Sequence, residues 1–171
     1  MWISAQTKTD AFELDEIYWF IGKRKGYENG INTYIMTMIS REPRQIAAYA
    51  VDNSINAASI QKMVDDTVQA KRYCTDGCNT YLGVDFAGHH VRNITDKSDT
   101  HNIEGSNADI RHYIAGLRRR SRCFFRSMDT LLAVLYILVY AYNRFGEAKT
   151  LFLQKHPDRE RVYHLDHLTY I

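Results

Sequence analysis

Three strand-like runs follow one another near the start of the chain, and this succession is the feature that most restricts its fold. The first run, residues 12–22, alternates in polarity, so Asp15 and Glu16 are predicted to lie on opposite faces of a strand. The segment "KRKGYENG" ends in Asn-Gly, a strong reversal signal, and the second run, "INTYIMTMIS", follows it. A turn with a proline, "REPRQ", then leads into the third run, "IAAYAV". The pattern predicts an antiparallel meander of three strands.

The period of the hydrophobic pattern changes after the third run. Asn53 or Ser54 can cap a helix, and apolar residues at helical spacing then predict an amphipathic helix over residues 54–69. The next segment, "KRYCTDG", predicts a short strand that ends at Asp76. Because a crossover helix returns the chain in its original direction, this fourth strand should run parallel to the first. The segment "HHVRNI", residues 89–94, predicts a short fifth strand.

Two further helices are predicted in the second half of the chain. Isoleucine and leucine recur at separations of seven, four and three from Ile103 to Leu117, which predicts a helix that the arginine cluster ends. Ser127 can cap a last helix, 128 to about 145, which is apolar nearly all round and is therefore predicted to be buried. We therefore expect an α/β fold: a five-stranded mixed sheet flanked by helices, with a long C-terminal helix.

Composition limits the class of protein. The chain has 171 residues, 45% hydrophobic and 25% charged with nearly balanced sign, which favours one globular domain. The longest apolar run, 131–142, is shorter than the ~20 residues of a membrane span, so no membrane is expected. Three cysteines without a disulfide framework and a start unlike a secretory signal favour the cytoplasm. We divide the chain into a short lead, 1–11, a folded domain, 12–145, and a polar tail, 146–171.

Three carboxylates are placed so that folding could bring them together. Asp15 lies in the middle of the first strand, and Asp76 lies at the C-terminal end of the parallel fourth strand, where open α/β sheets gather their chemistry. Glu104 is one step from the apolar stripe of the following helix and could face both aspartates. Such carboxylates repel one another unless a cation joins them, and oxygen ligands suit Mg²⁺ or Mn²⁺. Two ions ~4 Å apart can promote in-line displacement at a phosphodiester.

The motifs around these residues resemble a known family. "LDE" followed by "WFIGKR", then "YCTDG", then "THNIEGSNADIRHYIAGLRRRSRCFFRS" resemble the catalytic domain of the DDE transposases of the insertion-sequence-one family, and more loosely the ISXO-two-like transposases. The resemblance covers roughly residues 12 to 145. It implies a ribonuclease-H-like catalytic domain in which Asp15, Asp76 and Glu104 are catalytic and hold two Mg²⁺ or Mn²⁺ ions. It also implies that Asn107 and Arg111 steady this triad or touch phosphate.

A basic stretch follows those positions and matches a family segment that is expected to lie along DNA. Its arginines are Arg118, Arg119, Arg120, Arg122 and Arg126. Clustered arginines bind backbone phosphates with a steep dependence on salt, although a merely solvated basic turn is the alternative. The expected partner is double-stranded DNA, both the element ends and the target, with a homo-oligomer assembled on it.

The resemblance implies metal-dependent DNA strand cleavage and strand transfer for an insertion sequence. Complete family members carry an N-terminal zinc-ribbon and helix-turn-helix region that binds the element ends, whereas about a dozen residues precede the first strand here. We expect either a separately encoded end-binding protein or a truncated copy. Two other functions stay open: a nuclease or resolvase of ribonuclease-H-like fold, and a non-catalytic DNA-binding remnant that regulates a full-length transposase.

The chosen residues also have simpler interpretations. Asp15 could be a solvent-facing strand residue, and Asp76 could be a turn aspartate before a glycine. Glu16, on the opposite face, is predicted to be structural or to support a ligand. Cys74 and Cys78, near two histidines, allow a zinc site, although their spacing favours buried free thiols.

Overall fold

The computed structural model describes residues 2–3, 8–22, 30–94, 99–118 and 124–145. Its strands are β1 (Trp2–Ile3), β2 (Ala11–Ile21), β3 (Ile31–Ser40), β4 (Ile46–Asp52), β5 (Arg72–Thr75) and β6 (His89–Arg92). Its helices are α1 (Ala57–Asp65), α2 (His101–Tyr113) and α3 (Met128–Phe145), with 3₁₀ turns at Asn79–Gly83 and Ala115–Leu117. The predicted turn residues 23–29 and the predicted polar tail, 146–171, lie outside the described residues.

The described strands form one mixed sheet in the order β1-β4-β3-β2-β5-β6. Strands β2, β3 and β4 make the predicted antiparallel meander, and β5 runs parallel to β2, as the crossover helix predicts. Strand β6 continues the sheet in parallel with β5. These five strands confirm the predicted α/β sheet, which is consistent with a ribonuclease-H-like arrangement. The two-residue strand β1, which pairs with β4, was not predicted because so short a segment has no period to detect.

Helices cover both faces of the sheet, because the alternation along β2 gives each face its own apolar set. On one face, Phe12 and Leu14 of β2 pack in a buried cluster with Ile60 and Met63 of α1. On the other face, Ile17 and its neighbours pack with residues of α2 and α3, namely Ile110, Leu131, Leu135, Leu138, Val139 and Tyr142. The sheet is thus the middle layer of three, and α2 lies over the face that carries Asp15.

Helix α1 is shorter than the predicted 54–69, and its cap is different. The side chain of Asn56 accepts a hydrogen bond from the Ser59 amide, 2.8 Å, so Asn56 caps the helix. The Asp52 carboxylate binds the Asn56 amide group at 2.6 Å and the Ser59 hydroxyl at 3.1 Å. These bonds hold the chain from Asp52 to Asn56 in a turn, so the prediction of Asn53 or Ser54 as the cap was wrong.

Helix α2 ends earlier than the predicted arginine cluster. Ile114 leaves the helix with φ −91° and ψ 99°, and a 3₁₀ turn follows. The chain approaches itself closely here, since a Cβ on Gly116 would lie 2.6 Å from the ring of Phe125. The Arg118 guanidinium donates a hydrogen bond of 2.7 Å to the carbonyl of His112, which supplies a partner for a main-chain carbonyl at the end of α2.

Helix α3 begins where it was predicted to begin, and Ser127 caps it by accepting from the Thr130 amide at 3.2 Å. The prediction that this helix is buried all round was wrong. Tyr136 is 48% exposed and Ile137 is 52% exposed, because the other described elements pack against the opposite side of the helix. Among the described residues no helix combines the length and apolar character needed to cross a membrane.

Candidate metal centre

Three carboxylates meet where β5 ends beside the middle of β2. Asp15, Glu16 and Asp76 each offer an oxygen within 4.8 Å of the other two. The parallel register explains this meeting, since Leu14 pairs with Thr75 and Asp76 therefore leaves the sheet next to Asp15. All three side chains are partly buried. The part of the chain that the structure describes holds no second group of this kind.

Asp15 is held in place from helix α2. The Asn107 side chain donates from Nδ2 to Asp15 Oδ2 at 2.8 Å, and Asn107 itself is 2% exposed. The Thr37 hydroxyl of β3 donates to Asn107 Oδ1 at 2.9 Å and lies 3.1 Å from the main-chain oxygen of Asp15. Because Oδ1 of Asn107 accepts from Thr37, its amide nitrogen faces the Asp15 carboxylate and orients it.

Asp76 lies in a turn that is tied to the neighbouring strand. Its Oδ1 accepts a hydrogen bond from the Cys78 amide at 2.9 Å. On β6, Arg92 binds the carbonyl of Gly77 and donates to Asn79 Oδ1 at 2.7 Å. Asp76 can therefore be both a turn aspartate, as in the simpler interpretation, and a metal ligand. The hydrogen bond in the turn uses Oδ1 and leaves the second carboxylate oxygen for another contact.

Glu16 joins the group although it lies on the opposite face of β2 from Asp15. Burial raises the pKa of Glu16 to about 7, opposed by a hydrogen bond from the Tyr81 hydroxyl and assisted by the charges of Asp15 and Asp76. Its Oε1 atom is buried and has no hydrogen-bond partner among the described residues. Strand parity alone placed this residue away from the site. The signal in the sequence that Glu16 could join the site was its position next to Asp15, just beyond the point where the short strand β5 ends beside β2.

The electrostatics of Asp15 are those of a site that favours a cation. Burial raises its pKa, the hydrogen bonds from the Glu16 amide and Asn107 lower it, and the charges of Asp76 and Glu104 raise it again. Clustered, partly buried carboxylates are destabilised by their own repulsion. Their oxygens are the ligands that Mg²⁺ and Mn²⁺ prefer, so the residues present fit the ions that the resemblance implies.

Glu104 is less closely placed than the other two predicted ligands. It lies partly buried on α2, one turn before Ala108, and it does not belong to the group of three carboxylates. Its charge raises the pKa of Asp15, so the two carboxylates interact. The role of Glu104 as a metal ligand stays a prediction. The same holds for Arg111, one turn beyond Asn107, as a contact to phosphate.

Sequence reasoning missed Glu13, which fixes the start of helix α2. Its carboxylate is fully buried and accepts from Ile103 N at 2.9 Å, Asn102 Nδ2 at 2.8 Å and Arg41 Nε at 2.9 Å. A second guanidinium nitrogen of Arg41 lies 3.3 Å from the Asp99 carboxylate and forms an ion pair with it. A buried acid inside a strand-like run was a signal, but its partners lie far along the chain. Through α2, Glu13 sets where Asn107 meets Asp15.

Gly105, next to Glu104, has a steric role in this helix. A Cβ at this position would lie 2.8 Å from a guanidinium nitrogen of Arg44. That nitrogen donates to the Asn102 carbonyl at 3.2 Å and to Ser106 Oγ at 3.4 Å. The glycine therefore lets Arg44 lie against the helix, which accounts for a residue of poor helix propensity at this point.

The predicted basic stretch is described only in part. Arg118 and Arg126 are exposed, while Arg119, Arg120 and Arg122 lie outside the described residues. Their contact with DNA stays a prediction.

The alternative zinc site has little support from the described cysteines. Cys74 is a buried free thiol whose sulfur lies 3.8 Å from a guanidinium nitrogen of Arg41, and no group of metal ligands in the described chain includes it.

No protein-family model matches the sequence, and no curated protein matches it.

Proposed function

We propose that this chain is the catalytic domain of an insertion-sequence transposase, which cuts and joins DNA strands with divalent cations bound at Asp15 and Asp76. The observation that carries the proposal is the meeting of these two carboxylates at the C-terminal end of β5. They are the residues that the motif order assigns to the first two positions of the triad. The α/β sheet around them is consistent with the ribonuclease-H-like fold that the resemblance implies.

The chain's own residues would bind and orient the reacting groups. When bound, a pair of Mg²⁺ or Mn²⁺ ions would stabilise charge on the attacking and leaving oxygens. Asp15 and Asp76 would hold these ions, and Glu104 would approach from α2 to complete the ligand set. Asn107 keeps the Asp15 carboxylate aimed at the site through its 2.8 Å hydrogen bond. Preorganised groups of this kind lower the barrier because they need no rearrangement during reaction.

The proposed reaction consists of two displacements at phosphorus. In the first, a water molecule loses a proton as its oxygen bonds to phosphorus at the element end, the P–O3′ bond breaks, and the 3′ oxygen takes up a proton and leaves as a hydroxyl. In the second, this 3′-hydroxyl loses its proton as it attacks a target phosphodiester in line, and the target's own 3′ oxygen is displaced and takes up a proton to become a hydroxyl. Each step exchanges one P–O bond for another, so no oxidant or nucleotide cofactor is required.

The partners follow from this chemistry. The site would act on double-stranded DNA, both the element ends and the target, with Arg118, Arg126 and the other basic residues on backbone phosphates. We include in the proposal a homo-oligomer assembled on the DNA, a separately encoded end-binding protein and a location in the cytoplasm.

A strand-transfer assay with Mg²⁺ tests the proposal. A labelled element-end duplex and a target are incubated with the wild type, Asp15→Asn, Asp76→Asn and Glu104→Gln, with the end-binding region supplied separately. Each substitution should lower product formation by at least about 100-fold, because each removes a charge that stabilises the transition state. Asp10→Asn is the matched control, since Asp10 is 82% exposed and forms a surface ion pair with Lys71.

Three results would overturn the proposal. Activity that survives both aspartate substitutions would remove the carboxylate group from the mechanism. Cleavage without joining would favour the nuclease or resolvase. DNA binding without either reaction would favour the regulatory remnant.

A further inference from the structure

Two tyrosines form an aromatic surface on the face of the sheet that carries Glu16. Tyr18 of β2 and Tyr34 of β3 pair directly across the strands, with ring centroids 5.3 Å apart and ring planes tilted by 57°. Tyr18 is 39% exposed, and its hydroxyl donates to Asn32 Oδ1 at 3.1 Å. The pair is therefore fixed in orientation while one of its rings stays open to solvent.

Helix α1 and strand β5, the described elements nearest this surface, do not cover it. Helix α1 packs on the same face nearer the start of β2, against Phe12 and Leu14, and its cluster does not include either tyrosine. Strand β5 pairs with β2 only as far as Leu14. The later half of β2 thus has no strand on that side in the described chain.

The surface adjoins the candidate metal centre. Glu16 and Tyr18 are two residues apart on one face of β2, which separates their Cα atoms by about 7 Å. A strand whose phosphate lies at the carboxylates would place a neighbouring nucleotide over the tyrosines. The Asp52 carboxylate, opposite Tyr34 on β4, is bound to Asn56 and Ser59 and so faces the start of α1.

We propose that Tyr18 and Tyr34 form a stacking site for an unpaired nucleobase of the DNA strand that is held at the carboxylate group. This inference rests on the proposed function and adds a contact to the base beside the reacting phosphate. Aromatic rings on an open sheet surface bind bases of any sequence, because every base offers a flat π-face. The hydrogen bond from Tyr18 to Asn32 prepares the ring for stacking, since it restricts rotation of the side chain before the base arrives.

Binding of single-stranded DNA to the full chain tests this site. The probes are an oligothymidylate of about 12 nucleotides and an abasic oligomer of equal length, compared by fluorescence anisotropy with Ca²⁺ present. The wild type should bind the thymidylate about 5- to 150-fold more tightly than the abasic strand. Tyr18→Ala should lose most of this preference without changing its affinity for the abasic strand. Tyr18→Phe keeps the ring and lacks only the hydrogen bond to Asn32, so it should keep most of the preference.

Tyr136→Ala is the matched control, because Tyr136 is 48% exposed on α3 and lies on a different element. It should bind both probes as the wild type does. The inference is overturned if Tyr18→Ala keeps the preference for the thymidylate, or if it lowers the affinity for both probes equally.

A second measurement uses the wild type and does not depend on a variant that folds. Ultraviolet light should crosslink an oligonucleotide that contains 5-iodouracil to Tyr18 or Tyr34, as located by mass spectrometry. Crosslinks confined to other elements would contradict the inference.

The two proposals can fail separately. If Asp76→Asn leaves strand cleavage intact while the preference for the thymidylate over the abasic strand still depends on Tyr18, the proposed function fails and the stacking site stands. If cleavage depends on Asp76 but base preference does not depend on Tyr18, only the stacking site fails.

Discussion

Asn107 of helix α2 donates a hydrogen bond to Asp15 of strand β2, with 2.8 Å between Nδ2 and Oδ2. Residues 92 positions apart in the chain are thereby joined at the carboxylate group. The bond connects the helix that carries Glu104 to the strand that carries Asp15 and Glu16. The geometry of the candidate site therefore depends on how α2 is seated on the sheet.

Loss of this bond should destabilise the protein. Asn107→Ala removes the donor to the partly buried Asp15 carboxylate and one acceptor of the Thr37 hydroxyl, so the free energy of unfolding should fall by about 1–3 kcal/mol. Asn107→Asp should lower the free energy of unfolding further at neutral pH, because it places another negative charge beside Asp15. Urea unfolding measures both effects. Asn53→Ala, at an exposed position, is the control, and an equal cost for Asn53 and Asn107 would contradict the role of the bond.

The buried carboxylate of Glu13 should be among the most sensitive positions of the fold. Glu13→Ala removes the acceptor for Ile103, Asn102 and Arg41 at once. Loss of one member of a buried ion pair typically costs about 3–5 kcal/mol, and we expect at least the lower figure in chemical denaturation. The exposed Glu42 offers a control, since Glu42→Ala should change stability by less than about 0.5 kcal/mol. Comparable losses for the two variants would show that the network contributes little.

Gly105 and Arg44 should show a coupled effect. In the wild type, Gly105→Ala forces Arg44 away from α2, so the loss of its hydrogen bonds should offset the gain in helix propensity. In an Arg44→Ala background the same substitution should stabilise the protein by up to about 1 kcal/mol. A double-mutant cycle in thermal unfolding measures this difference. An identical effect of Gly105→Ala in both backgrounds would exclude the steric explanation.

The raised pKa of Glu16 makes stability depend on pH. Folding raises this pKa from 4.5 to about 7, so the folded state binds the proton more tightly. Its contribution is therefore full below pH 4.5 and is lost as the pH rises to about 7, by up to about 3 kcal/mol. Unfolding in the presence of a chelator, compared between the wild type and Glu16→Gln, isolates this group. Parallel stability curves across that pH range would contradict the assignment.

Much of the fold could be predicted from local patterns. The alternation along β2 and β3 and the Ser127 cap of α3 depend on neighbours in the chain, so the sequence displays them directly. The start of α1 was misplaced because the bonds from Asp52 to Asn56 and Ser59 decide it, and two nearby residues had equal capping propensity. Helix α2 ends at Tyr113, and the turn after it brings Gly116 against the ring of Phe125, a contact that no local pattern indicates.

The candidate site was predictable in part for the same reason. Asp15 and Asp76 followed from the parallel pairing of two strands, which the crossover helix implies. Glu16 was correctly assigned to the face opposite Asp15, but β5 ends beside these residues, so Asp76 meets carboxylates from both faces and parity did not decide which residues form the group. Glu13 could not be placed, since its partners on α2 and at Arg41 are set only by tertiary packing.

The most direct test of the central claim is a crystal structure of the full chain with Mn²⁺, in which anomalous scattering locates the ions. We predict a peak about 2.1 Å from carboxylate oxygens of both Asp15 and Asp76, and the same map reveals whether Glu104 or Glu16 completes the ligand set. Asp10→Asn crystals should give the same peak, and Asp76→Asn crystals should lose it. Absence of any peak at Asp15 and Asp76 under saturating Mn²⁺ would contradict the metal centre and the proposed strand-transfer chemistry with it.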